Sequence, residues 1–205
     1  MASTNIAALV PAKSELGYTY LAKLDGQAAK LRFQELCQLE PNHQGWWTIL
    51  STAYRMCGDR QGYARLCNYD LVHISSLVNH SAASPLPVDF NQHLLQLLHQ
   101  LHCNNRAPLG LSLQNGSQTF ENIFDRHDLL LKQLKNEILR EAKLFIASLK
   151  RQAGHPFLSR LSTALQFQGS WSVLLRDSGF HKSHFHPMGW LSGVYYIDIP
   201  KSCRH

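Results

Sequence analysis

LEPNHQGWWTILSTAYRMCGD, residues 39–59, decides the fold of the amino-terminal half. Leu39 ends one apolar stripe of helical spacing, and Pro41 blocks its continuation because it lacks a backbone N–H and clashes with the preceding turn. The polar run Asn42 to Gln44 makes a turn, after which Trp47, Leu50, Ala53 and Tyr54 recur at the spacing that lines one face of a helix. Gly58-Asp59 marks the next turn. Working outward, helical spacing covers 13–75, and helix is expected to continue through 64–80. SAASPLPVD (81–89), with two prolines and several small residues, is the best boundary in the chain.

The helical stretch repeats itself. Leu16, Gly17, Tyr20, Ala29, Phe33 and Pro41 are followed, at a 34-residue period, by Leu50, Ser51, Tyr54, Tyr63, Cys67 and Ser75. This resembles the tetratricopeptide repeat, in which small residues of one helix pack against large residues of the next. The second copy degenerates after Tyr63, where a large ring stands in a small residue's place and no proline closes the unit. A stable stack usually needs at least three repeats, so two copies are expected to dock on the rest of the chain or to form a short adaptor. The resemblance implies a concave helical face that binds a protein or peptide; nothing in the segment is catalytic. An unrelated helical hairpin is the plain alternative.

Composition narrows the function classes. The chain of 205 residues is 44% hydrophobic and 10% aromatic, enough for a real core and against disorder. No run of about 18 apolar residues offers a membrane span, and the first residues lack the basic-then-apolar pattern of a secretory signal, so a cytoplasmic protein without membrane partners is expected. Cys37, Cys57, Cys67, Cys103 and Cys203 form no CxxC pair and read as thiols, not as a disulfide frame or zinc site. The formal charge is +6, but the basic residues are scattered, and the densest group, on 132–151, is interleaved with Glu137 and Glu141. That is a solvated helix face, and no nucleic-acid partner is expected.

In the second half, FNQHLLQLLHQL (90–101) is an amphipathic helix, and NNRAPLGLSLQNGSQTFENIF (104–124), without a period, reads as an irregular loop. A long helix from about 125 to 150 follows, terminated by Gly154 and Pro156. The period then changes to two. SWSVLLR (170–176) and LSGVYYIDI (191–199) read as strands, and between them lies DSGFHKSHFHPMGW (177–190) with His181, His184 and His186. On extended backbone His184 and His186 project to one side, the geometry from which two imidazoles share a first-row metal, with Phe185 turned into packing. His181, three before His184, would face the other way unless the chain bends. By spacing alone a His-x-His pair is equally at home in a structural or surface role.

PLGLSLQNGSQTFENIF, HPFLSRLS and GSWSVLLRDSGFHKSHFHPMGWLSGVYYIDIP, together with the preceding repeats, resemble a bacterial group of 2-oxoglutarate and iron(II)-dependent oxygenases that carry tetratricopeptide-like helices before a double-stranded β-helix, or jelly-roll, domain. The likeness covers most of 13–200 and is densest in SWSV and in the GFHxxHxHPxGWLSGVYY pattern. It implies Fe(II) with 2-oxoglutarate as co-substrate, ascorbate as an auxiliary reductant, and His184 as first iron ligand. In much of that superfamily the position two residues on is acidic; here it is His186, which is either the second ligand or a neighbour of one, with His181 the alternative. The resemblance also implies that Tyr196 helps hold the 2-oxoglutarate carboxylate, with Ser192 and Val194 on the same side of the strand and Tyr195 in the opposite layer. For both tyrosines core packing is the plain alternative.

The expected fold class is therefore α+β: tetratricopeptide-like helical hairpins over 1–80, a linker, helix and irregular loop over 81–125, and over 126–205 a long helix with the first strands of a jelly roll. A jelly roll needs about eight strands, and an oxygenase of this kind also a late His and an Arg or Lys for the far carboxylate. Only two or three strands are read before residue 205, so a truncated or interrupted member with exposed strand edges is expected. Two further readings stand beside the oxygenase: a non-catalytic interaction module with an inert sheet remnant, and a jelly roll holding zinc without redox chemistry. Substrate and oligomeric state are not legible.

Overall fold

A computed structural model describes residues 6–78, 86–102 and 112–200. Among them the chain is α+β, with six α-helices and one two-stranded antiparallel sheet. It divides into two compact units. The first comprises Met1–His73, Arg151–Arg160 and Phe185–Ser192; the second comprises Ile74–Lys150, Leu161–His184 and Gly193–His205.

Four helices follow one another in the first unit: α1 (Ile6–Ala22), α2 (Gly26–Leu39), α3 (Gln44–Met56) and α4 (Arg60–Leu66). Each packs on the next. Short turns leave consecutive helices little choice but to lie side by side, and the apolar stripes do the rest. Ala29, Phe33, Leu36 and Cys37 of α2 close on Leu50 and Ala53 of α3, with Tyr20, Leu21, Trp46 and Ile49 around them. The approach of α1 to α2 is tight enough that a Cβ on Gly17 would stand 2.9 Å from the Phe33 ring.

Two turns of this unit are built alike. After α1, the Leu24 N–H donates to the Leu21 carbonyl and the Asp25 N–H to the Tyr20 carbonyl; after α3, Gly58 donates to Arg55 and Asp59 to Tyr54. This pair of bonds closes a helix through one residue of positive φ. That residue is Leu24 at φ 60° in the first turn and Gly58 at φ 73° in the second. The aspartate that follows then caps the next helix, Asp25 accepting from the Ala28 N–H and Asp59 from the Gly62 N–H, each at 2.9 Å.

The second unit is built on α5 (Phe90–Leu101), β1 (Leu113–Gln118), α6 (Leu129–Ser148) and β2 (Val173–His181). Phe90, Leu94 and Leu98 of α5 meet Leu131 and Leu134 of α6 over Leu77, Leu86, Ile123 and Phe124. β1 and β2 pair antiparallel, Gln118 with Val173, Gly116 with Leu175, Gln114 with Phe180 and Leu113 with His181. Between the middle two pairs Asn115 alone faces residues 176–179, an irregular bulge in β2. Asn115 and Ser178 take positive φ there, and the Asn115 side chain bonds the Asp177 carbonyl across it.

Several sequence expectations are corrected. The loop expected over 104–124 contains β1 within its described part, because LQNGSQ finds a partner in β2 that local composition does not announce. The strand expected over 170–176 starts at Val173 and runs on to His181, since the bulge absorbs Gly179 without ending the pairing. LSGVYYIDI pairs with no strand among the described residues. Its alternation is real all the same: Tyr195 and Ile197 lie against the second unit's core, while Val194 and Tyr196 are exposed. Helix does not continue from 64 to 80; α4 stops at Leu66, a single 3₁₀ turn covers Tyr69–Leu71, and 79–80 lie outside the described residues. Most of the 81–89 boundary lies outside them as well.

Candidate functional site

β2 delivers the histidines. Its last residue, His181, is fixed to the start of the β1 strand: the Ser112 hydroxyl lies 2.9 Å from His181 Nδ1, and the Lys182 N–H donates to the Ser112 carbonyl at 2.8 Å. The chain then bends. His184 comes back toward His181, ring centroids 5.3 Å apart with the planes 37° from parallel. Straight strand geometry would have set these two on opposite sides, so the bend after β2 is what brings them together.

His184 Nδ1 donates to the Lys182 carbonyl at 2.8 Å, because a carbonyl has no proton to give. In a neutral ring with the proton on Nδ1, Nε2 is the atom through which this imidazole would ligate a metal. This bond, like that of Ser112 to His181, is a feature that residue spacing did not reveal.

The other expected site residues stand elsewhere. His186 belongs to the first unit, is exposed, and accepts the Gly189 N–H on its backbone carbonyl at 3.1 Å. Ser192 is exposed and also lies in the first unit, whereas Tyr196 is in the second, 66% exposed. Tyr195 is the packed tyrosine, its hydroxyl donating to Asn91 Oδ1 at 2.5 Å and its acidity reduced by burial.

An iron centre of the oxygenase type needs two imidazoles and a carboxylate with open positions in a water-poor pocket. No group of three or more His, Cys, Asp or Glu able to hold a metal exists among the described residues. His184 is exposed to solvent. The described residues thus supply a pair of imidazoles and not the full ligand set.

Two other histidines shape the units. His102, at the end of α5, bridges Ser117 of β1 (Nδ1, 2.9 Å) and Ser172 just before β2 (Nε2, 3.0 Å). Burial lowers its pKa, with His99 adding to the effect. In the first unit His155 is buried and fully used: Nδ1 accepts from the Phe157 and Leu158 N–H groups while Nε2 donates to the Arg65 carbonyl. It stands in the wall of a shallow cavity of about 630 Å³ of mixed lining, beside Asp59, Arg65, Leu71 and Leu158.

The cysteines are as expected within the described residues: Cys37, Cys57 and Cys67 are free thiols, while Cys103 and Cys203 lie outside them. No helix of the described residues is long and apolar enough to cross a membrane.

No curated protein and no solved structure matches the chain significantly. Residues 169–205, the stretch holding β2 and all three clustered histidines, match the model of a family described as "Putative 2OG-Fe(II) oxygenase". In that stretch the chain is similar to an oxygenase of the 2-oxoglutarate and iron(II) class.

Proposed function

We propose that this chain carries part of a 2-oxoglutarate- and iron(II)-dependent dioxygenase, a hydroxylase, joined to helical hairpins of tetratricopeptide type that bind a protein or peptide. The observation that carries the first half is the family match over 169–205, which encloses His181, His184 and His186. The domain would be a jelly roll, of which β2 is an early strand. Within it His184 is the iron ligand on which the reading rests, with His186 or His181 as the second; Tyr196 and Ser192 would serve 2-oxoglutarate. The second half is supported by the 34-residue offset between the Asp25 and Asp59 turns, which share bond pattern and cap.

A second reading, a non-catalytic interaction module, is favoured by the lack of a three-ligand group among the described residues. Anaerobic titration with Fe(II) followed by 2-oxoglutarate separates the two. In the full-length protein, with the late His and the Arg supplied, the oxygenase reading expects a visible metal-to-co-substrate charge-transfer band that is lost in His184→Ala. A full-length protein that shows no such band while still binding a peptide through its helices is the interaction module.

A further inference from the structure

Leu24 is singular among the exposed apolar residues of the first unit. A lone exposed leucine is ordinary, since much of any protein surface is apolar. This one is 82% exposed and is also held at φ 60°, a backbone region that a bulky side chain rarely adopts. Neither burial nor local conformation accounts for a leucine here. The matching turn after α3 shows the relaxed solution: Gly58 at φ 73°, with nothing within 4 Å of where a Cβ would stand. The turn that holds Leu24 is firmly bonded, through Leu24 N–H to the Leu21 carbonyl at 3.0 Å and Asp25 N–H to the Tyr20 carbonyl at 2.9 Å. A non-glycine residue kept in the left-handed region by its surroundings is an outlier from which a function can be inferred.

The turns before α2 and before α4 stand at one end of the helical hairpins. A Cβ on Gly26, the first residue of α2, would stand 2.8 Å from the Cβ of Met56 and 2.8 Å from the backbone nitrogen of Cys57, and Lys30 Nζ donates to Asp59 Oδ2 at 3.2 Å. Leu24, two residues before Gly26, and Met56, 37% exposed at the end of α3, therefore belong to one surface. Its charge is uneven. Residues 23–30 and 55–60 carry Lys23, Lys30, Arg55 and Arg60 against Asp25 and Asp59. Both carboxylates cap helices, and Asp59 also holds Lys30. Lys23, Arg55 and Arg60 are exposed and pair with no carboxylate among the described residues.

We propose that this end of the hairpins is a docking surface for an acidic peptide segment, with Leu24 and Met56 as its apolar contacts and Lys23, Arg55 and Arg60 as the cations that flank them. The closed turn fixes the place of Leu24, so little freedom is lost when a partner covers it, while the flexible Met56 adapts its shape. The flanking cations attract carboxylates and turn basic partners away. The surface lies at the turns, apart from the concave face that the repeat resemblance implies. The inference deepens the reading of the hairpins as a protein- or peptide-binding module and is independent of the oxygenase reading.

The probe is a random dodecapeptide library displayed on phage and selected on the immobilised full chain. Enriched peptides are synthesised with a fluorescent label and titrated by anisotropy. The expected result is enrichment of Asp and Glu beside one or two apolar residues. Affinity should be about tenfold weaker in Leu24→Gly and in a variant combining Lys23→Gln, Arg55→Gln and Arg60→Gln, and unchanged in Leu16→Ala, which removes an exposed side chain two turns back along α1. Leu24→Gly leaves the turn with the residue its conformation favours, and a urea midpoint at or above that of the natural chain verifies that the fold is kept. Should it fail to fold, the charge variant decides. Binding unchanged in Leu24→Gly, or enrichment of basic or uncharged peptides, overturns the proposal and leaves the hairpins a binding module; a library that yields no binding peptide overturns both. Sedimentation with vesicles of phosphatidylcholine and phosphatidylserine that is lost in Leu24→Gly, in place of peptide binding, assigns the surface to lipid and overturns the peptide proposal.

Discussion

Leu24 holds a conformation that suits glycine, and relieving it should stabilise the first unit. It closes α1 at φ 60°, and its side chain is 82% exposed, so little packing is lost with it. For an L-residue the left-handed region costs roughly 1–2 kcal/mol, whereas the greater freedom of glycine in the unfolded chain returns about 0.4–1 kcal/mol of that. Leu24→Gly is therefore expected to stabilise by about 0.5–1 kcal/mol. The matching position is its control. Gly58 has φ 73° and nothing within 4 Å of where a Cβ would stand, so Gly58→Ala should destabilise by about 1 kcal/mol on conformational grounds alone. Urea unfolding followed by tryptophan fluorescence reports on this unit through Trp46 and Trp47. With a slope of about 2 kcal/mol/M, the midpoint should rise by about 0.3–0.5 M in Leu24→Gly and fall by a similar amount in Gly58→Ala, at unchanged slope. A midpoint lowered by Leu24→Gly, or untouched by both changes, refutes the idea that the two turns share one helix-closing geometry.

Acidification should weaken the second unit through His102. Its folded pKa lies below the ordinary value, so on lowering the pH from about 7.5 the unfolded chain takes up the proton first and stability falls until the folded pKa is passed. Tm measured from pH 8 to about 5 by circular dichroism should fall less steeply in His102→Gln than in the natural chain; equal slopes would remove His102 as the cause. Cys37 is buried, its thiol pKa pushed up to about 12, whereas Cys57 and Cys67 are partly exposed. Maleimide labelling with peptide mapping should modify Cys57 and Cys67 in the native chain and Cys37 only in denaturant; native labelling of Cys37 would contradict the packing of α2 on α3.

What the residues announced is what short stretches decide for themselves. Pro41 and the polar run after it end α2 wherever the chain goes, and Leu50 and Ala53 fall on the buried face because a helix returns to the same side every three or four residues. The alternation of Tyr195 and Ile197 against Val194 and Tyr196 was legible for the same reason. Pairing was not. LQNGSQ is poor in strand-forming residues and becomes β1 only because β2, some sixty residues later, supplies hydrogen-bond partners.

The candidate site divides along the same line. Three histidines within six residues marked the place, and the match over 169–205 bears on the chemistry, but which rings meet depended on where β2 ends. Sequence spacing favoured His184 with His186, while the bend after β2 sets His184 beside His181. The contacts among residues 42–45, 156–160 and 185–190 were invisible in the sequence, because these segments are joined only by folding. Local periodicity and turn chemistry act within a few residues and can be read from the chain itself; strand partners and converging side chains are set by contacts across it, and only the tertiary structure decided them.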